Sequence, residues 1–262
     1  MTARPLTVSW PGGVVSFTFD DFPKSALAGG HILERHGARG TFYTAMKLAG
    51  TNDILGPMFD HEDILAVHRT GHEIACHTFT HRDLRYANRS TMLAEICENS
   101  TALSSLIEGF VPTNFAYPYG SVSLKAKYVM GSRFSSCRGI FNNTNQGVAD
   151  LAELPAKTLY AADFDKAEID RLIDNNSSVN GWLIFFTHDV VEMPSPYGCT
   201  PSQLESVVAY AAERATVLPV RDVIAGLGGA PRNSFLSIAW FSFVQAKIAN
   251  LCFARLRRGS SR

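Results

Sequence analysis

Val15-Ser16-Phe17-Thr18-Phe19-Asp20-Asp21 is an apolar run that ends in two adjacent carboxylates. Its aromatic and β-branched residues, with the Gly12-Gly13 pair that precedes them, predict a strand buried within a parallel sheet. Two carboxylates at the end of a buried strand are costly unless they pair with a cation or bind a metal ion. The stretch therefore predicts both a central strand and one part of a polar site.

A second stretch, His77-Thr78-Phe79-Thr80-His81, follows the short apolar run Ile74-Ala75-Cys76. If the chain turns helically there, both imidazoles lie on one face, where they can hold a divalent transition metal. Histidines at this spacing are also ordinary surface or core residues, so the pair alone does not establish a site. One aspartate of the first stretch would complete a His-His-Asp set and leave the other free to act as a base.

Predicted strands alternate with predicted helices along most of the chain, which is typical of an α/β fold with a parallel sheet. Polar residues follow the C-terminal ends of the predicted strands, the rim at which barrel-like α/β folds build their sites. These residues are Asp20, Asp21, His77, Tyr119, Arg138 and His188. The most regular helix is predicted from Ser90 to Gly109, with Ser90 as its cap and with Glu95 and Glu98 facing outward.

The composition narrows the function classes. The 262 residues, 46% of them apolar, suit one globular domain with a sizeable core. Because 24 Lys and Arg residues balance 24 Asp and Glu residues, no overall field favours nucleic acid as a partner. The five cysteines never take a C-x-x-C spacing and are expected to be reduced thiols. The first ten residues contain no apolar signal segment, which predicts a cytoplasmic chain.

Four motifs resemble those of the polysaccharide deacetylases, the NodB-homology domain of carbohydrate esterase family 4. The first is Thr18 to Asp21, and the others follow in the family's order. They are His77 to His81, Phe115 to Gly120 around a Pro-Tyr turn, and Phe185 to His188 at the end of a late strand. The resemblance covers residues 14–190. It implies a distorted (β/α) barrel with fewer than eight regular strands, whose parallel strands place a catalytic rim at their C-terminal ends.

The resemblance also implies a role for each motif residue. Asp21, His77 and His81 would bind one divalent metal ion, zinc or another transition metal. Asp20 would be the general base, and His188 the general acid. The backbone N–H of Tyr119 would help to hold the oxyanion.

The sequence departs from the family pattern in two places. The family's third motif carries an arginine that pairs with the catalytic aspartate, and this chain has Ala116 there. We hypothesise that Arg138, at the end of a neighbouring predicted strand, supplies the cation instead; the alternative is a surface arginine. The family's Asp-Trp motif, which supports the acid histidine, has no clear counterpart. Asp163, Asp165 and Asp189 are open candidates for that support.

The implied activity is removal of an acetyl group from an N-acetylated sugar in a saccharide, a lipid-linked glycan or a nucleotide sugar. Two alternatives remain open at this point. One is a deformylase, or another hydrolase of small amides or O-acetyl esters, on the same fold. The other is a non-catalytic saccharide-binding relative, which the missing arginine motivates. The asparagine-rich stretch 142–145 could line a sugar site, or it could be a plain polar loop.

The end of the chain is predicted to be separate from a catalytic domain of residues 1–229. Residues 234–256 are apolar and aromatic, and Arg255, Arg257 and Arg258 close the stretch. This tail, residues 230–262, suits an interfacial helix at the inner face of a membrane, a helix packed on a partner, or a helix that covers the bottom of the barrel. The sequence gives no indication of the oligomeric state.

Overall fold

The structure is a computed structural model that describes residues 3–229. Its strands are β1 (Pro5–Val8), β2 (Val14–Phe19), β3 (Thr41–Thr44), β4 (Asn52–Asp53), β5 (Gly56–Pro57), β6 (Glu73–Cys76), β7 (Asn114–Ala116), β8 (Ser136–Arg138), β9 (Gly147–Asp150), β10 (Lys157–Thr158), β11 (Trp182–Thr187) and β12 (Thr216–Val217). Its helices are α1 (Ala26–Arg35), α2 (His61–Arg69), α3 (Arg89–Leu106), α4 (Leu124–Gly131), α5 (Lys166–Ser178), α6 (Pro201–Arg214) and α7 (Val220–Gly226).

A curled parallel sheet organises this part of the chain. Its strands lie in the order β10-β11-β2-β3-β6-β7-β8. All six residues of β2 are buried, and β11 pairs with β2 along its whole length. On β2, β12 pairs with the first two residues and β3 pairs with the last two. The predicted central strand and the predicted parallel α/β sheet are therefore confirmed.

A segment without regular strand structure continues the sheet beyond β8. The N–H of Cys137 donates to the carbonyl of Leu151 at 2.8 Å, and the N–H of Leu154 donates back to the carbonyl of Cys137 at 2.7 Å. The same segment leads within a few residues into β10, the opposite edge of the sheet. The sheet thus curls round into the distorted barrel that the sequence predicts.

The helices lie against the outside of the curled sheet, and α1 approaches it closely at Gly29. A Cβ atom at Gly29 would lie 2.4 Å from the Phe19 ring, so only glycine permits this contact between α1 and β2. No helix of residues 3–229 has the length and apolar character that crossing a bilayer requires. The tail predicted as an interfacial helix lies outside the described residues, and the division into a domain of residues 1–229 and a tail stays a prediction.

The helix predicted from Ser90 to Gly109 is α3, with three corrections, the first of which is that it ends at Leu106. Its N-cap is Asn88, whose side chain accepts a hydrogen bond from the N–H of Thr91, rather than Ser90. Glu95 does not face outward. It is buried on the same side of the helix as the apolar residues, whereas Glu98 is exposed as predicted.

Candidate active site

The predicted site residues meet at one end of the sheet. Asp20 and Asp21 follow β2, His77 follows β6, Arg138 ends β8 and His188 follows β11. His81 and Tyr119 come from the loops after β6 and β7. A cleft of about 500 Å³ opens over these groups, and six of the seven line it. Arg138 is the exception, because its side chain is buried beneath the floor of the cleft.

Asp21, His77 and His81 form a cluster that could hold a metal ion. Their ligand atoms lie within 4.8 Å of one another. The Nε2 atoms of His77 and His81 lie 3.5 Å and 3.1 Å from Oδ1 of Asp21. That oxygen is buried and has no hydrogen-bond partner in the described structure. A buried carboxylate oxygen between two imidazole nitrogens suits a divalent transition metal, so the residues present fit one.

The protonation of the cluster also suits metal binding. Nδ1 of His77 lies 2.8 Å from the carbonyl oxygen of Ala116, which fixes the N–H at Nδ1 and leaves Nε2 as an acceptor. Burial lowers the pKa of His77 to about 3 and also lowers the pKa of His81, so both imidazoles are neutral, the form that can bind a metal ion. Burial raises the pKa of Asp21 to about 7, because no nearby cation fully compensates its charge.

The loop after β6 brings the histidines together without a helix. Thr78 and His81 have φ angles of 64° and 55°, and the two imidazole ring centroids lie 5.0 Å apart. Asp21, Phe22 and Tyr119 also have positive φ angles. Each such non-glycine conformation costs about 1–3 kcal/mol, so the surrounding contacts must impose it. The predicted convergence of the rings is found, but its cause is a strained loop rather than helical spacing.

Glu95 of α3 provides one set of these contacts, a role that none of the sequence motifs indicates. Its Oε2 accepts hydrogen bonds from the N–H groups of Phe79 and Thr80 at 3.0 Å and 2.8 Å. Its Oε1 accepts hydrogen bonds from the Thr80 hydroxyl at 2.7 Å and from Nε of Arg82 at 3.2 Å. One buried carboxylate therefore ties down the segment between the two histidines. A signal was present, because Glu95 has helical spacing with the buried residues Met92, Ile96, Asn99 and Leu103.

Arg138 pairs with Asp20, as hypothesised. Its Nη2 donates to both carboxylate oxygens of Asp20 and lies 2.6 Å from Oδ1. The guanidinium is also stacked near the rings of Tyr43 and Phe186. Burial alone would raise the pKa of Asp20, but the charge and hydrogen bonds of the adjacent Arg138 outweigh it and hold the pKa below its ordinary value. Asp20 is therefore kept as a carboxylate, although it is buried.

His188 faces the cluster from the other side. Its Nε2 lies 4.0 Å from Oδ2 of Asp21, and its Nδ1 lies 3.2 Å from the carbonyl oxygen of Tyr197. The carbonyl of Tyr197 thus orients the ring, a task for which three aspartates were candidates. Asp189 accepts hydrogen bonds from Ser195, and Asp165 caps α5. Asp163 lines a neighbouring cavity, so none of the three is the observed partner of His188.

Tyr119 forms part of the cleft wall next to His81. Its ring centroid lies 4.5 Å from that of His81, and most of its side chain is exposed. Its φ of 59° makes the turn that follows Pro118. Tyr119 therefore lies at the edge of the cleft. The role of its backbone N–H in holding an oxyanion stays a prediction.

Comparisons with known proteins agree with this geometry. Residues 8–132 match the family model described as polysaccharide deacetylase. The chain is 31% identical over 115 residues to a probable peptidoglycan-N-acetylglucosamine deacetylase of Arthroderma benhamiae, and 30% identical over 116 residues to a chitin deacetylase of the same fungus. Each match covers 42% of this chain but only 24% and 29% of those proteins, so the chain matches about a quarter of their length.

The fold has relatives among solved structures. A putative polysaccharide deacetylase from Mycobacterium smegmatis superimposes with a TM-score of 0.58 at 18% sequence identity. The match covers 88% of this chain and 98% of that one, which extends the shared fold well beyond residue 132. Together, these comparisons show that residues 8–132 resemble the polysaccharide deacetylase family and that the described chain shares the fold of a putative polysaccharide deacetylase.

Proposed function

We propose that the protein is a metal-dependent hydrolase that removes an acetyl group from an N-acetylated sugar in a saccharide or glycan precursor. The observation that carries the proposal is the arrangement around Asp21. The three residues that could hold a metal ion, Asp21, His77 and His81, lie between two further groups. One is Asp20, which accepts hydrogen bonds from the buried Arg138, and the other is His188, whose Nδ1 lies beside the carbonyl of Tyr197. An acid, a base and a metal site within one cleft are what amide hydrolysis requires.

Asp21, His77 and His81 would hold the metal, and zinc suits two imidazoles and one carboxylate. When bound, such an ion polarises the acyl carbonyl and lowers the pKa of water. Three protein ligands would leave a coordination position for water or substrate. The neutral imidazoles and the otherwise unpartnered Asp21 oxygen support this assignment.

Asp20 would accept the proton of the attacking water, because Arg138 keeps it ionised although both side chains are buried. His188 would donate a proton from Nε2 to the departing amine, while the Tyr197 carbonyl holds Nδ1–H. The backbone N–H of Tyr119 would stabilise the oxyanion. A positioned acid or base typically contributes about 10²–10⁴-fold to the rate.

The Arg138–Asp20 pair favours a hydrolase over a non-catalytic saccharide-binding relative. The family has an arginine beside its catalytic aspartate at the position that Ala116 occupies here. In this chain Arg138, on the adjacent strand β8, donates to Asp20 instead. A binding module has no need of an ionised buried base. The remaining alternatives, deformylation and O-acetyl ester hydrolysis, use the same groups and differ only in the acyl or leaving group.

Acetate release from N-acetylglucosamine oligomers tests the proposal. The wild type and Asp20→Asn are compared on N-acetyl, N-formyl and O-acetyl sugars side by side. We expect turnover to be highest on the N-acetyl substrate and to fall about 10²–10⁴-fold in Asp20→Asn, with metal content unchanged. A clear preference for the formyl or O-acetyl substrate would replace the proposed activity with that alternative. Saccharide binding without turnover on any substrate would support the binding module.

A further inference from the structure

The loop of residues 190–198, between β11 and α6, carries the carbonyl that orients His188. The oxygen of Tyr197 accepts a hydrogen bond from the backbone N–H of His188 at 3.2 Å, and it lies 3.2 Å from Nδ1 of the same residue. Because a carbonyl only accepts, this oxygen fixes one ring hydrogen on Nδ1 and leaves Nε2 to face Asp21. The orientation of His188 therefore depends on how the loop is held.

Packing does little to hold the loop, because most of its side chains are exposed. Met193 is 91% exposed and Tyr197 is 45% exposed. The two ends of the loop are joined by the N–H of Cys199, which donates to the carbonyl of Asp189 at 3.0 Å. An exposed loop of this kind keeps one conformation where polar groups tie it to the buried structure.

The side chain of Asp189 ties the loop down from within. It is buried directly after His188, and its Oδ2 accepts a hydrogen bond from the N–H of Ser195 at 2.7 Å. Its Oδ1 accepts a second one from the Ser195 hydroxyl at 2.6 Å. The Ser195 Oγ accepts in turn from the N–H of Tyr197 at 3.1 Å. The contacts thus run without a break from a buried carboxylate to the residue whose carbonyl orients His188.

The backbone of the loop also lies directly against this carboxylate. A Cβ atom at Gly198 would lie 2.4 Å from both Cγ and Oδ1 of Asp189, so only glycine permits the contact. The position of Gly198, which follows Tyr197, is therefore set by the Asp189 side chain. The hydrogen bonds and the close packing of one residue both act on the same part of the loop.

We propose that Asp189 is a positioning residue for the acid: through Ser195 it holds the Tyr197 carbonyl at Nδ1 of His188, which keeps Nε2 as the nitrogen that releases the proton. This inference rests on the proposed function and deepens it. When the C–N bond of the amide breaks, its electron pair stays on the nitrogen, which takes the proton from Nε2. His188 is then neutral, and its remaining hydrogen stays on Nδ1 beside the carbonyl. Asp189 itself does not line the cleft.

The test compares Asp189→Ala, Asp189→Asn and Ser195→Ala with Glu192→Gln, a matched control that is exposed in the same loop and does not line the cleft. Turnover is measured on N-acetylglucosamine oligomers, whose amine must be protonated as it leaves. It is also measured on 4-nitrophenyl acetate, whose phenolate leaves without a proton. The rate that His77→Ala/His81→Ala retains is subtracted from each value.

We expect Asp189→Ala and Ser195→Ala to lower kcat on the amide about 10–100-fold, with KM unchanged, because the acid loses its orientation. Asp189→Asn keeps one acceptor oxygen and should recover part of this loss. The rate on the ester should stay within about twofold of the wild type in all variants, because that reaction needs no acid. Ser195→Ala, the milder change, provides the test if Asp189→Ala does not fold.

A second readout does not depend on turnover. The ¹⁵N chemical shifts of the His188 ring, in the zinc-loaded protein at alkaline pH, report which nitrogen carries the hydrogen of the neutral imidazole. We expect it on Nδ1 in the wild type and in Glu192→Gln. Both nitrogens should share it in Asp189→Ala and Ser195→Ala.

The outcomes separate this inference from the proposed function. Equal losses on the amide and the ester would overturn the positioning role, because they indicate a general disturbance of the site. Wild-type kcat with the hydrogen still on Nδ1 in both alanine variants would also overturn it. If the wild type hydrolyses no amide but the alanine variants move the hydrogen of His188, the positioning role stands and the proposed activity is wrong. If there is neither amide turnover nor a change at His188, both are wrong.

Discussion

Arg138 and Ala116 lie opposite each other on the neighbouring strands β8 and β7. This register explains how a cation can reach Asp20 although alanine stands two residues before Pro118. The pairing could be anticipated from the sequence, because the C-terminal ends of parallel strands meet at one edge. The exact contact could not, since it depends on the curl of the sheet and on the small Ala116 side chain leaving room.

Moving the arginine between these strands tests the pairing. Arg138→Met should reduce activity by about 10²-fold or more, because it leaves a buried carboxylate without its cation. The double variant Ala116→Arg/Arg138→Ala should recover part of that loss. The measurement is kcat/KM on the best substrate, with Arg171→Met on the exposed face of α5 as the control. Full activity in Arg138→Met would contradict the role given to the pair.

A second prediction for a single residue concerns Glu95 of α3. Glu95→Gln replaces one of the two acceptor oxygens with an amide N–H₂, so the Phe79–Arg82 segment loses part of its anchorage. We expect the affinity of the purified protein for zinc to fall about 10–100-fold, the typical effect of removing a group that orients metal ligands. Zinc affinity is measured by competition with a chelator.

Glu98→Gln, on the exposed side of the same helix, is the matched control and should keep its affinity for zinc. The thermal midpoint of each variant separates a positioning effect from unfolding. If Glu95→Gln binds zinc as the wild type does, Glu95 is only a structural residue.

Elements with strong apolar runs were predictable. The runs at β2 and β11 and the periodic pattern of α3 correspond to observed elements, because burial on a sheet or along one helix face repeats at fixed spacing. The short strands β1 and β9 were not predicted. They pair antiparallel with each other over four residues, and this pairing joins distant parts of the chain, which local pattern does not reveal.

Asp150 at the end of β9 holds this ribbon in place. Its Oδ1 accepts the N–H groups of Arg4 and Ala152, and its Oδ2 lies 2.7 Å from Nζ of Lys127. Burial would raise its pKa, but Lys127 and the backbone donors outweigh burial and lower it. Because the folded-state pKa is the lower one, the stabilisation is present above the unfolded pKa of about 4 and is lost as pH falls through the folded value.

Asp150→Asn should therefore lower the free energy of unfolding by about 1 kcal/mol at pH 7, a value kept small by the partial exposure of the site. The difference from the wild type should shrink at pH 3. Urea unfolding at both pH values measures this difference, with Asp163→Asn, at an exposed position, as the control. A difference in the free energy of unfolding that grows on acidification would contradict the lowered pKa of Asp150.

At the scale of the whole molecule, the resemblance to the polysaccharide deacetylases and the barrel were predictable from four motifs in order, but the cleft walls were not. Tyr160 and Tyr197 come from segments with no motif, and only the fold brings them beside His188. The strained conformations of Thr78 and His81 were equally hidden, because an αL angle in a non-glycine residue is imposed by its surroundings.

The C-terminal tail carries a prediction of its own. We propose that it brings the protein to the inner face of a membrane, since its apolar stretch ends in Arg255, Arg257 and Arg258. Replacing these three arginines with Gln should weaken binding of the full chain to vesicles with anionic lipids about a hundredfold at low salt. Deleting residues 230–262 should abolish binding. Equal sedimentation of all three proteins with vesicles would contradict the proposal.

The central claim is that Asp21, His77 and His81 hold the metal on which hydrolysis depends. The most direct measurement is the metal content of the purified protein, paired with acetate release, for the wild type and His77→Ala/His81→Ala. His31→Ala/His61→Ala, two exposed histidines outside the cleft, is the matched control. We predict one metal ion and acetate release in the wild type and the control, and neither in the site variant. A folded wild type that takes up no zinc or cobalt, or a site variant that retains both the metal and the activity, would contradict the claim.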